Sequence, residues 1–95
     1  MLLLLISRKL TFKIREMTKQ LYLYSTSHCH LCELAHALVA ESTENIALKV
    51  IDVADDDALL VRYGVRIPVL QRQDNKTELN WPFNAADILE FLSLT

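Results

Sequence analysis

Apolar and polar positions change period several times along the chain, and each change marks an element. Gln20 to Ser25 (Gln-Leu-Tyr-Leu-Tyr-Ser) is a short apolar and aromatic run with strand character, closed by the polar Thr26-Ser27-His28. From Cys29 the positions Leu31, Leu34, Ala35, Leu38 and Val39 recur at helical spacing as far as Glu41, and Ser42-Thr43-Glu44-Asn45 then breaks the helix. Ile46 to Val53 is apolar and rich in β-branched residues, which predicts a second strand. Asp55-Asp56-Asp57 supplies a cap and an acidic first turn for a second helix, carried on by Leu59, Leu60 and Tyr63 to Gly64. Val65 to Arg72 reads as a third strand with Pro68 near its start. Asp74-Asn75 is a turn signal leading into a fourth strand, Lys76 to Trp81. After Pro82-Phe83, Asn84 is placed to cap a closing helix, with Asp87 three residues later and Ile88, Leu89, Phe91 and Leu92 as its apolar stripe.

The predicted order is therefore βαβαββα. A β-α-β opening requires parallel strands joined by a crossover, and the later hairpin adds an antiparallel pair to the same sheet. The expected fold is an α/β sandwich: one four-stranded mixed sheet with helices on both faces. A chain of 95 residues with 52% apolar side chains can fill one core and no second one. Met17 stands just before the first patterned strand, so residues 17–95 are taken as the domain. Residues 1–16 are an N-terminal extension of uncertain status: an upstream addition, a misassigned start or an ordered extra strand. The Met1 to Ile6 apolar run is too short to span a bilayer. Its positive charges follow the run, whereas a secretory signal has them in front.

Charge narrows the classes of partner. The formal net charge of -2 conceals +3 in residues 1–16 (Arg8, Lys9, Lys13 and Arg15 against Glu16), which leaves -5 for the remainder. An acidic body without clustered Lys and Arg argues against nucleic acid. With one Gly and two Pro the chain is not low-complexity or linker-rich, and it shows no internal repeat. Without a secretory signal, two cysteines three apart read as a reduced redox pair or as metal ligands more than as a structural disulfide framework. These features predict a cytoplasmic monomer acting on protein or small-molecule thiols and disulfides, with no nucleic acid and no membrane as partner.

The chemistry is carried by Cys29-His30-Leu31-Cys32. This spacing puts both sulfurs on one side of a helical turn, close enough to close a disulfide. At a helix N-terminus Cys29 meets unpaired N–H groups and the positive dipole end, which stabilise a thiolate and make it the nucleophile. Cys32, one turn deeper, is placed to resolve a mixed disulfide formed at Cys29. His28 and His30 flank the nucleophile and favour its thiolate when protonated. Two other readings stand beside this one. Both cysteines can be small core residues. Alternatively His28, Cys29, His30, Cys32 and His36 fall within nine residues, and Cys29, Cys32 and His36 share a helical face at i, i+3 and i+7, a set suited to zinc or copper(I). A closed structural zinc site usually takes four ligands from two chain segments, and no second Cys/His cluster exists here. For His36 alone, a solvated or capping role in the helix is the simpler reading. A metal-binding or redox-sensing module without turnover thus remains the alternative to an oxidoreductase.

On three segments the chain resembles the glutaredoxin and thioredoxin superfamily, most closely the small glutaredoxin-like proteins with a C-x-L-C centre. These are Leu21-Tyr-Leu-Tyr-Ser25 before Cys29-His-Leu-Cys32, Tyr63-Gly-Val-Arg-Ile-Pro-Val-Leu70, and Trp81-Pro-Phe83 before the last helix. The resemblance implies a thioredoxin-like three-layer sandwich, thiol-disulfide oxidoreductase activity and a part in cell redox homeostasis. It also implies a cis Ile67-Pro68 bond beside the active-site disulfide, with the preceding backbone pairing with substrate. Ile67, Pro68, Arg66, His28 and His30 are thereby the candidate substrate-binding residues, Arg66 as a carboxylate anchor. Glutathione-using members carry a Lys where this chain has Thr26, Pro-Tyr where it has His30-Leu31, Thr-Val where it has Arg66-Ile67, and a Gly-Gly turn followed by Asp in place of Asn80-Trp81-Pro82-Phe83-Asn84. No cofactor is implied, and glutathione enters only as a candidate reductant. Thioredoxin's buried acid would fall within Leu21 to Ser25, which has none. Trp81 and Phe83 can form an aromatic ledge or pack the last helix, and Tyr24 is expected in the core or at the rim of the site.

Overall fold

A computed structural model of the chain describes residues 19–43 and 45–93. The expectations for residues 1–16 fall outside them. The elements are β1 (Lys19–Ser25), α1 (His30–Ser42), β2 (Ile46–Asp52), a 3-10 turn (Val53–Asp55), α2 (Asp57–Tyr63), β3 (Val69–Arg72), β4 (Glu78–Asn80) and α3 (Ala85–Ser93). They form a four-stranded sheet in the order β2-β1-β3-β4. β1 runs parallel to β2, from Lys19 opposite Ile46 to Ser25 opposite Asp52. It is antiparallel to β3, with Tyr24 opposite Val69, and β3 is antiparallel to β4.

Alternation along the central strands sends side chains to two cores. Leu21 and Leu23 of β1 and Leu70 of β3 pack with Ala35 and Val39 of α1 and Ile88, Phe91 and Leu92 of α3. Tyr24 and Val69, of opposite parity, pack with Val53 and with Tyr63 of α2 on the other face. The helices therefore cover both faces, as the βαβαββα pattern predicts. β3 is buried at every position, including Arg72 at 2% exposure. The Arg72 guanidinium donates to the Phe91 carbonyl at 2.8 Å, satisfying an end carbonyl of α3, and to the Asp74 carboxylate at 2.6 and 3.0 Å. Those bonds hold the Asp74 carboxyl below its ordinary range.

Several boundaries differ from those the sequence predicts. Val53 leaves the second strand for the 3-10 turn, because the Asp52 carboxylate accepts the Ala54 N–H at 2.9 Å and turns the chain. Asp56 caps α2 through the N–H groups of Ala58 and Leu59. The expected third strand loses Val65 to Pro68, since the Arg66 and Ile67 N–H groups both bond to the Tyr63 carbonyl and wind this stretch into a turn. Gly64 ends α2 without the left-handed conformation common at such positions, having φ -53°. What it supplies is clearance, because a Cβ there would lie 2.5 Å from the Leu60 carbonyl oxygen. The fourth strand is shorter than expected, because Lys76 takes the left-handed conformation and the Asn75 side chain accepts from Thr77. The Asn84 and Asp87 pair forms a reciprocal cap of 2.9 and 2.8 Å at the start of α3. No helix among the described residues is long and apolar enough to cross a membrane.

Ile88 is fully buried and joins α3 to the sheet, whereas Leu89 beside it is 53% exposed. Ile88→Ala is expected to lower unfolding free energy by about 2–5 kcal/mol, and Leu89→Ala by less than about 1 kcal/mol. Denaturant titrations of the two variants compare them directly. Equal losses would show that α3 is not seated by the Ile88 face.

Candidate active site

The first strand delivers the cysteines. β1 ends at Ser25, and the Thr26 hydroxyl donates to the Asp52 carboxylate at 3.1 Å, tying the following loop to the end of β2. His28 turns the chain with φ 59°, a left-handed conformation that His tolerates better than a β-branched residue. Cys29 is then extended, at φ -107° and ψ 102°, and is the N-cap of α1. Its sulfur accepts the Cys32 N–H at 3.2 Å, and its carbonyl accepts the Glu33 N–H at 3.1 Å. The capping role normally filled by an oxygen of Ser, Thr or Asp is thus taken by sulfur. Cys29 and Cys32 are joined in a disulfide with a Cα–Cα separation of 5.2 Å. Cys29 is half-buried and Cys32 is 3% exposed, so the two sulfurs are unequal in access.

Beside the disulfide lies a cleft of about 270 Å³. Leu23 and Val50 give it apolar surface, and Ser25, Thr26, Glu33 and His36 give it polar groups. His36 does share the cysteines' side of α1, as its spacing predicts, and is exposed there. Glu33 is a site residue that the sequence analysis does not single out, although its position four residues after Cys29 places it on the same face. His28 and His30 are exposed and do not line the cleft. Among the described residues no group of three His, Cys, Asp or Glu side chains is arranged to hold a metal ion.

The remaining predicted residues sit on the β3 side. Because Tyr24 pairs with Val69, the segment before β3 reaches the same end of the sheet as the loop after β1. Ile67-Pro68 is cis, as the resemblance implies, and Pro68 is fully buried; Trp81-Pro82 is cis as well. Arg66 and Ile67 line a second hollow with Val65, Asn80 and Trp81. Arg66 is already engaged there. Its Nη2 donates to Glu78 at 2.7 Å and to Asn80 at 2.9 Å, and its guanidinium lies 5.3 Å from the Tyr63 ring centroid. Tyr63 donates its hydroxyl to the other Glu78 oxygen at 2.7 Å, and its ring stacks on Tyr24 with centroids 4.0 Å apart. Tyr24 is accordingly a core residue. Trp81 meets Phe83 edge-on at 5.0 Å, packing that links the second hollow to the base of α3.

Burial raises the Tyr63 hydroxyl pKa, and the bond to Glu78 adds to it. Burial opposes ionisation of Glu78, but the Tyr63 hydroxyl and the Arg66 guanidinium outweigh it and hold the carboxyl below its ordinary 4.5. A depressed carboxylate pKa contributes stability that is present above the unfolded value and lost as pH falls through the folded one. Wild type is therefore expected to be more stable than Glu78→Gln near neutrality, with the gap closing below pH 4.5. Thermal unfolding of both proteins across pH measures it. A gap that stays constant into acid would mean that ionised Glu78 is not what holds this network.

Known proteins are similar to this chain in sequence and in fold. The family model for the glutaredoxin-like domain (DUF836) matches residues 20–93. Among solved structures, an X-ray structure of a structural-genomics target from X. campestris is 38% identical, covering 76% of this chain and 93% of that one with a TM-score of 0.70. A solution structure of a protein from Nitrosomonas europaea is 29% identical, covering 80% of this chain and 93% of that one with a TM-score of 0.64. A mutant thioredoxin from Halobacterium salinarum is 21% identical, covers 79% of this chain and 72% of that one with a TM-score of 0.61, and shares the fold. No curated protein matches the chain. With its four-stranded mixed sheet, its Cys29–Cys32 pair at the head of α1 and a family match across nearly all of the described domain, the chain belongs to the glutaredoxin-like domain family and has a thioredoxin-like fold.

Proposed function

We propose that the protein is a thiol-disulfide oxidoreductase in which Cys29 is the nucleophile and Cys32 the resolving thiol. The observation that carries this reading is the unequal pair: a half-buried Cys29 sulfur that caps α1, joined to a Cys32 sulfur that is almost fully buried. In the reduced protein the cap places Cys29 against the N-terminal N–H groups of α1, where a thiolate is favoured. That thiolate attacks a substrate disulfide, forming a Cys29–substrate mixed disulfide and releasing one substrate sulfur as thiolate. Cys32, deprotonated, then attacks the Cys29 sulfur and expels the second substrate thiolate. The substrate gains two electrons and the protein ends as the disulfide.

The substrate class we propose is a polypeptide or small-molecule disulfide that approaches over the segment before β3. Val65, 99% exposed, and Leu31, 44% exposed within the motif, are apolar surface suited to such a contact. Ile67 and the cis Pro68 supply the backbone edge, with His28 and His30 flanking the nucleophile. Glutathione serves at most as reductant, because Thr26 stands where a lysine would hold it and Arg66 is held by Glu78 and Asn80. No bound cofactor is needed for this chemistry, and the proposed setting is a monomer in the cytoplasm.

In the reduced protein, Cys29 alkylation should reach half its limiting rate well below pH ~8.5. Cys32→Ser should accumulate mixed disulfides with its substrates, and Cys29→Ser should form none. A redox titration against glutathione should show one two-electron transition. If Cys29 alkylates as an ordinary thiol and mild oxidation closes no internal disulfide, the oxidoreductase reading fails. A sensor without turnover would close the disulfide but transfer no electrons to a substrate under multiple-turnover conditions.

A further inference from the structure

Cys32 has to lose its proton before it can attack, yet it is 3% exposed, and burial among apolar groups opposes thiolate formation. The strand beneath it offers no help: the β1 residues that line the cleft beside it are Leu23 and Ser25. Besides the cysteines, the titratable side chains lining that cleft are Glu33 and His36. They are not equivalent with respect to Cys32. His36 follows Cys32 by four residues in α1, the spacing that stacks side chains one turn apart with Cβ atoms roughly 5–6 Å from each other. Glu33 is the next residue after Cys32, so its side chain leaves the helix about 100° around the axis. Glu33 and His36 are themselves three apart and are neighbours on the helix surface. His36 is also exposed, so a proton it accepts has a direct exit to water.

From this juxtaposition we propose that His36 is the proton acceptor for Cys32 in the resolving step, with Glu33 as the residue that positions its imidazole. The inference rests on the exchange reading above and assigns the step that reading leaves without a base. While Cys29 is bound to substrate, the Cys32 S–H proton passes to the unprotonated nitrogen of His36, directly or through one water. The Cys32 sulfur forms its bond to the Cys29 sulfur. The bond between Cys29 and the substrate sulfur breaks, its electron pair leaving with the substrate as thiolate. His36 returns the proton to solvent or to that leaving thiolate. Other groups near the cleft do not compete for the role. Val50 on β2 and Thr26 in the loop do not titrate, no side chain of α3 lines the cleft, and Asp52, which holds the Thr26 hydroxyl and the Ala54 N–H, does not line it either.

A chromogenic aryl disulfide, a bis-nitrobenzoate, resolves the two steps by stopped flow with the reduced full chain. Its first coloured thiolate reports attack by Cys29 and its second reports attack by Cys32. In wild type the second phase should quicken with pH through an inflection that reports deprotonation of the acceptor. His36→Gln should slow the second phase about 100-fold, remove that inflection and leave the first phase unchanged. Free imidazole should restore part of the rate in His36→Ala, and Glu33→Gln should move the inflection to lower pH by removing a negative charge beside the ring. A second phase in His36→Gln with the wild-type rate and pH profile, or an equal slowing of both phases, overturns the assignment. Failure of wild type to release any second thiolate is a different result, and it overturns the exchange reading itself together with this step.

Discussion

Leu21 and Leu23 are sealed beneath α1 and α3, while Tyr24, on the opposite face of the same strand, stacks on Tyr63 and donates a hydrogen bond from its hydroxyl to the Gln71 side-chain oxygen at 2.7 Å. Burial of β1 on both faces fixes its register, because a slip of one residue would drive the tyrosines into the aliphatic core and the leucines against α2. The position of the site follows from that register. Pairing with β2 brings Asp52 level with Ser25, where it can anchor Thr26, and pairing with β3 brings the cis Pro68 segment to the same end. The loop that carries Cys29 is thus held by strands on both sides, together with Thr26, the left-handed His28 and the sulfur cap.

The second hollow is held by polar contacts. Glu78 on the short β4 receives the Tyr63 hydroxyl on one oxygen and Arg66 on the other. These two bonds join α2, the turn before Pro68 and the far strand of the sheet. The Tyr63 carbonyl also accepts the N–H groups of Arg66 and Ile67. One tyrosine therefore constrains this turn twice, through its backbone and through its side chain. Arg66, the charged residue that lines this hollow, is here structural, and its pairing with Glu78 is why half-burial of the carboxylate is tolerated.

Much of this was legible in the chain because two signals agreed wherever a long element formed. Helical spacing from Leu31 to Val39 and the polar break after Glu41 bracket α1, and the Asn84 and Asp87 pair marks the start of α3. The alternating Leu-Tyr-Leu-Tyr run gives β1 and both cores. The short elements were harder. Val65 to Ile67 carries strand residues, but the main-chain bonds to Tyr63 override that propensity, and a local pattern does not reveal them. Arg66 is expected as a carboxylate anchor from the resemblance alone, and its two partners, on a strand 12 and 14 residues away, are not visible in the local sequence. Helical arithmetic placed His36 on the cysteine face, but that a cleft opens there depends on Leu23 and Val50, which belong to two other strands.

Arg72 adds a constraint on how this small domain can change. It is a buried residue of the central sheet, and its guanidinium spans from the end of α3 to Asp74 in the turn between β3 and β4. Hairpin turns on a surface are ordinarily the places where a chain accepts insertions or a grafted segment. Here the turn residue is half of a latch on the last helix, so lengthening the hairpin would pull the Asp74 carboxylate away from the buried guanidinium it holds. Variation in the length of this hairpin is therefore disfavoured, and a loop that looks replaceable from its position on the surface is one that locks the fold shut.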